Sequence, residues 1–176
     1  MNEYEFSLKF SLPKPGDDPE TSIAKLAEAG CDDALIGIGQ HGRIALDFTR
    51  TAKSALAAIT SALHDVRKAI PEAKLVEASP DFVGLSDVAE IAGFSRQNMR
   101  KLMVGSVSTF PVAVHEGSPA VWHLAKVLQW LRETRRHEVD DTLLDVARTT
   151  MQVNIARELR DLPKRGISKE LTALLA

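Results

Sequence analysis

From Tyr4 to Leu12 the chain alternates: Tyr4, Phe6, Leu8 and Phe10 share one face, and Glu5, Ser7, Lys9 and Ser11 the other. A period of two predicts a half-buried strand. Pro13, Pro15 and Gly16 end it, and Asp18 stands where it can cap a helix with Pro19 at its first position. That helix is short, turns Ile23, Leu26 and Ala27 inward and stops at Gly30. Two strands follow, Ala34 to Gly39 and Arg43 to Arg50, the latter alternating Ile44, Leu46 and Phe48 against Arg43, Asp47 and Thr49. Gln40-His41-Gly42 joins them as a hairpin. Ala52 to Ile70 reads as a helix whose apolar set, from Ala52 and Leu56 to Val66 and Ile70, is spaced by three and four. Pro71 ends it, and Lys74 to Ala78 is a fourth strand. The order βαββαβ predicts a ferredoxin-like domain over residues 1–80, with both helices on one sheet face. The other face is expected to be covered by the rest of the chain or by a second subunit.

The pattern then changes. Ser86 can cap a helix whose inner positions are Val88, Ala89 and Ile91. Gly93 suits a sharp turn, Phe94 can plug the corner, and Ser95 caps a second helix. Met99 and Leu102 form the inner face of that helix; Arg96, Gln97, Arg100 and Lys101 lie outside, with Asn98 near the edge. This is the layout of a helix-turn-helix. Phe110 to Val114 and Pro119 to Trp122 are two extended pieces around a Gly-containing tip, His115-Glu116-Gly117-Ser118, which reads as a wing. His123 to Arg136 is a helix with Arg132, Arg135 and Arg136 near its C-terminal end. Trp122 and Trp130 sit on apolar faces and read as core.

The last segment, residues 137–176, is helical. Val139 to Leu159, begun by Asp140 or Asp141, carries one stripe of Leu144, Ala147, Met151, Ile155 and Leu162 and a second of Leu143, Val146 and Val153. Apolar residues on two sides imply burial on two sides, either wholly within the chain's own core or with one side against the sheet and the other against a second copy. After Pro163 and Gly166, Ser168 caps a short helix ending Leu171, Leu174, Leu175. The expected fold class is therefore α+β: a ferredoxin-like domain (1–80), a winged helix-turn-helix (83–136) and C-terminal helices (137–176).

Charge sharpens this division. Residues 1–82 carry a net −4, residues 83–136 a net +3 and residues 137–176 a net −1. The one net-positive block is the one with the helix-turn-helix pattern, as an anionic polymer would require. A single cysteine, Cys31, excludes an internal disulfide framework and a cysteine-based zinc finger. No apolar run reaches the roughly 18 residues of a membrane span. The N-terminus MNEYEFSLKF lacks the basic start and apolar core of a signal peptide, so a cytoplasmic location is expected.

Candidate catalytic chemistry is weak. Gly37, Gly39 and Gly42 form a Gly-x-Gly-x-x-Gly, but they lead into a strand, where a dinucleotide site needs a helix. The loop Pro13-Lys14-Pro15-Gly16-Asp17-Asp18 offers few amide donors and two carboxylates, unsuited to the phosphate cradle of an acylphosphatase-like enzyme. His41, His64, His115, His123 and His137 are scattered without metal-ligand spacing. No enzyme activity, cofactor or metal is expected.

Residues 83–132 resemble the winged helix-turn-helix of the excisionase and MerR-like families. The shared marks are Leu85-Ser86, Gly93, Ser95-Arg96-Gln97, Phe110-Pro111, Trp122 and Val127-Leu128-Gln129-Trp130-Leu131. The chain departs from the pattern in the long, weakly basic stretch Val104 to Thr109, in Glu116 at the wing tip and in lacking a long coiled coil. The resemblance implies double-stranded DNA as partner, with the second helix in the major groove and the wing on the backbone. Arg96, Gln97 and Arg100 are then the expected base or backbone contacts, with Ser95, Asn98 and Lys101 toward phosphate and His115 and Ser118 from the wing. The expected function is sequence-specific DNA binding by a transcriptional regulator, a repressor, acting as a homodimer. Alternatives are an excision accessory factor and an antitoxin-type protein whose partner is a toxin.

Overall fold

The structure, a computed structural model, describes the chain except for residues 13–18, 39–41, 136, 163–165 and 175–176. The expected cap Asp18, the hairpin residues Gln40 and His41, the loop from Pro13, Arg136 and Leu175 thus lie outside the described residues. The fold is mixed α/β, with a four-stranded antiparallel sheet and seven described helices.

The first unit comprises β1 (Asn2–Ser11), α1 (Pro19–Ala29), β2 (Ala34–Gly37), β3 (Arg43–Ala52), α2 (Ala55–Ala69) and β4 (Lys74–Ser79). The sheet order is β2-β3-β1-β4, every neighbour antiparallel. Register follows the alternation: Phe6 faces Phe48 and Leu8 faces Leu46, and the two Phe rings stack at 5.1 Å. Leu26 of α1, and Ala58, Ile59 and Val66 of α2, close this face into a core. On the opposite face Glu5, Lys9, Asp47 and Thr49 are exposed. No described element of this chain covers that face.

One boundary and two helix positions differ from the periodic reading. Ala52 ends β3, because Ser54 caps α2 by accepting from the Ala57 amide at 3.1 Å. Leu56 and Ala27 are exposed, since their helices are rotated to bury Ser22, Leu26, Ala55 and Ala58 instead.

The second unit comprises β5 (Phe82–Val83), α3 (Leu85–Ile91), α4 (Arg96–Val104), β6 (Trp122–His123) and α5 (Leu124–Arg135). Its core gathers Val88, Met99, Phe110, Leu124, Leu128 and Leu131. α6 (Asp141–Asp161) belongs to both cores: Val146 and Val153 pack into the first, Leu144, Ala147 and Met151 into the second. The second apolar side of this helix is therefore covered by helices of the same chain, the intramolecular one of the two outcomes the stripes left open. α7 (Lys169–Leu174) is exposed throughout. Among the described residues no helix is long and apolar enough to cross a membrane.

Candidate nucleic-acid interface

α3 and α4 form a helix pair because the turn between them can be sharp. Gly93 has a φ of 70°, a left-handed conformation that costs glycine nothing. The Phe94 amide donates to the Ala89 carbonyl at 2.7 Å, closing α3, and the Phe94 ring packs on His137 at 4.6 Å between centroids. Ser95 caps α4, its hydroxyl accepting from the Asn98 amide at 3.2 Å. The expected cap role of Ser86 is not seen. α3 begins at Leu85, and the Asp87 carboxylate accepts from the Gly84 amide at 2.7 Å. Ser86 lies exposed in the first turn instead.

Met99 is fully buried and anchors α4. Arg96, Gln97, Asn98, Arg100 and Lys101 are all exposed. A side chain buried at one position and polar side chains around it give α4 one rooted side and one free side.

The segment expected to form a wing is less regular than two paired strands. Only His115 and Val121 form a bridge, with the Val114 amide donating to the Val121 carbonyl at 2.8 Å. The regular strand β6 pairs with β5, ahead of α3, and not with Phe110 to Val114. Aromatic packing holds the base of the wing. Phe110 meets Trp130 edge-on at 5.0 Å and Trp122 at 6.0 Å. The Trp122 indole donates to the Pro111 carbonyl at 3.1 Å and the Trp130 indole to Thr109 Oγ1 at 3.3 Å. The long Val104 to Thr109 stretch is thereby fastened to α5. Both tryptophans are buried.

Arg96, Arg100 and Ser118 line one groove of about 810 Å³ between α4, the start of α3 and the wing. Gln97, Asn98 and Lys101 are exposed elsewhere on α4, and the capping Ser95 is likewise not among the groove residues. The His115 ring folds back over Gly117, occupying the place a Cβ would take there. Glu116 is exposed at the tip. Ser86 and Met103 also line the groove. Ser86 was legible only as a helix-start residue, and the structure places it along this groove.

Arg135 is committed elsewhere. Its guanidinium lies 5.3 Å from the centre of the Trp130 ring and donates to Ser106. Arg132 pairs with Asp141 at 2.8 Å. The expected basic end of this helix thus serves packing. Among the described residues no cluster of three or more His, Cys, Asp or Glu side chains is placed to hold a metal.

No family model matches the chain, and neither the curated proteins nor the solved structures contain a significant match to it.

Proposed function

We propose that this chain is a sequence-specific double-stranded DNA-binding protein, a cytoplasmic transcriptional regulator of repressor type that acts as a homodimer. The observation that carries the reading is the shared groove of Arg96, Arg100 and Ser118. The two arginines are four residues apart on a capped helix, so they project from one side and reach toward the same surface as the wing. Arginine in that position suits guanine edges or phosphate oxygens. The helix pair, the following wing loop and α5 favour a winged helix-turn-helix of the excisionase and MerR-like kind. The sheet order favours a ferredoxin-like first domain.

Dimerisation is supported by the part of the expected C-terminal apolar surface that the chain leaves exposed. Ile155, Leu159 and Leu162 are exposed in succession along the end of α6, and Ile167, Leu171 and Leu174 follow, exposed as well. Paired DNA half-sites favour a two-fold protein. The same apolar surface favours the second reading, an interaction protein of antitoxin type that also binds DNA. No comparable observation favours an excision accessory factor.

The test is fluorescence anisotropy with the DNA upstream of the protein's own gene against a scrambled duplex, at several salt concentrations. A preference of about a thousandfold or more with a steep salt slope is the expected result. Absence of binding to either duplex overturns the reading and leaves a protein partner in its place.

A further inference from the structure

Between α2, β4 and the C-terminal half of α6 lies an open cavity of about 480 Å³, a size usual for small-molecule sites. Its floor is apolar: Phe10 and Val66 are buried, and Leu75 and Val153 half-buried. Its rim is cationic, with Arg67, Arg157 and Arg160 among the lining residues and, among the described residues, no aspartate or glutamate.

These arginines are unequally committed. Arg67 is exposed and has no carboxylate partner among the described residues. Arg160 stands 3.7 Å from Asp161. Arg157 donates to Glu158 through Nη2. The Nε–H of Arg157 is shut off from solvent and has no acceptor among the described residues. Buried donors without partners are rare, and each calls for an explanation. Here an acceptor carried into the cavity by a bound molecule is the explanation at hand.

We propose that this cavity binds an amphipathic organic anion, its apolar body on the Phe10, Val66 and Leu75 floor and its carboxylate head between Arg67 and Arg157. Neither half of the lining accounts for the other. An inorganic anion would leave the floor uncovered, and a neutral hydrocarbon would leave the arginines without an acceptor. The groups left open are Arg67 and the Arg157 Nε–H, and a guanidinium fork matches a carboxylate in geometry as well as charge. The site lies on the first domain and α6, apart from α4 and the wing, so it goes beyond the nucleic-acid reading.

The full-length chain is titrated with sodium decanoate and, separately, with decanol. Methyl NMR reports the position, and displacement of anilinonaphthalene sulfonate reports the affinity. The expected result is saturable one-to-one binding of decanoate, with shifts at Leu63, Leu75 and Val153 and no such binding of decanol. Arg67→Gln and Arg157→Gln should each weaken decanoate by about tenfold with the unliganded melting temperature unchanged. Lack of saturation through the millimolar range overturns the proposal. So does equal binding of decanol, a set of shifted methyls elsewhere, or wild-type affinity in both variants. Should Arg157→Gln fold poorly, exposed Arg67→Gln decides alone. No DNA enters the experiment, so its failure is separate from failure of the DNA-binding reading.

Discussion

His123 Nδ1 lies 2.7 Å from Asp81 Oδ1, and the Asp81 side chain is wholly shut off from solvent. The second Asp81 oxygen accepts from Asn154 Nδ2 at 2.8 Å. Asn154 also grips β4, accepting from the Ala78 amide at 2.9 Å and donating to the Ala78 carbonyl at 2.7 Å. Thr150 donates to the Pro80 carbonyl at 2.6 Å. The end of β4, the end of β6 and the middle of α6 are thus tied at one buried polar knot.

Asn154→Ala strips partners from the Ala78 amide and carbonyl and from Asp81 at once. It should destabilise the chain by about 3 kcal/mol. Urea denaturation followed by circular dichroism checks this, and a loss below about 1 kcal/mol would show that the knot contributes little.

Arg50 organises the far end of the first core. It donates to Asp33 at 2.7 and 2.8 Å, to Asp65 at 2.7 Å, to Ser61 at 3.0 Å and to the Gly30 carbonyl at 2.7 Å. These bonds hold the guanidinium's pKa well above its ordinary value despite its burial, with the Asp33 hydrogen bond the largest raising cause. Arg50→Met leaves two carboxylates without their partner and should cost about 2–3 kcal/mol, less than for a fully buried pair because both carboxylates keep some solvent.

Cys31 sits beside this cluster. Burial first, and then the Asp65 charge, push its thiol up to about 11. The folded chain should therefore resist thiol reagents near neutral pH and react only as it opens. Rapid labelling of the native chain would contradict the burial.

Asp140 caps α6, its carboxylate accepting from the Thr142 hydroxyl and from the Leu143 amide at 2.8 Å. These bonds, the one from Thr142 foremost, lower its pKa below the usual aspartate value. A depressed folded pKa adds stability above the unfolded pKa and loses it as pH falls through the folded one. Asp140→Ala should cost about 1 kcal/mol near pH 7. The gap to wild type should narrow as the pH drops below about 4, where the carboxylate gains its proton. Urea midpoints at the two pH values test both the size and the sign.

Arg96→Ala should weaken binding to specific DNA by about 1–3 kcal/mol if Arg96 reads a base. An equal loss on scrambled DNA would make it a phosphate contact instead. Asp substitutions at Ile155 and Leu159, both exposed, should give folded monomers whose melting temperature falls only by the stabilisation that dimerisation supplied, if α6 forms the dimer surface. Light scattering and calorimetry report the two quantities. Removing residues 138–176 is not an equivalent test, because Leu144, Val146 and Ala147 are buried in the two cores.

The local elements were legible because each carries its own periodicity. Tyr4, Phe6, Leu8 and Phe10 are buried as their alternation requires, and Met99 is inside while Arg96 and Arg100 are outside. Gly93 marked the corner between α3 and α4 through a conformational need of the backbone, and Ser95 through the cap its side chain makes. Tertiary structure decided what periodicity leaves open. A stripe records that a helix face is buried, not against what, so the two sides of α6 gave no sign that both cores lie within one chain. Asp81, His123 and Asn154 are far apart in sequence, and no local pattern marks groups that pair only across the fold. The same holds for the groove joining Arg100 to Ser118 and for the arginine-rimmed cavity, whose walls come from separate elements. Burial is written locally, by the cost of leaving apolar surface in water; the identity of the partner is a property of packing.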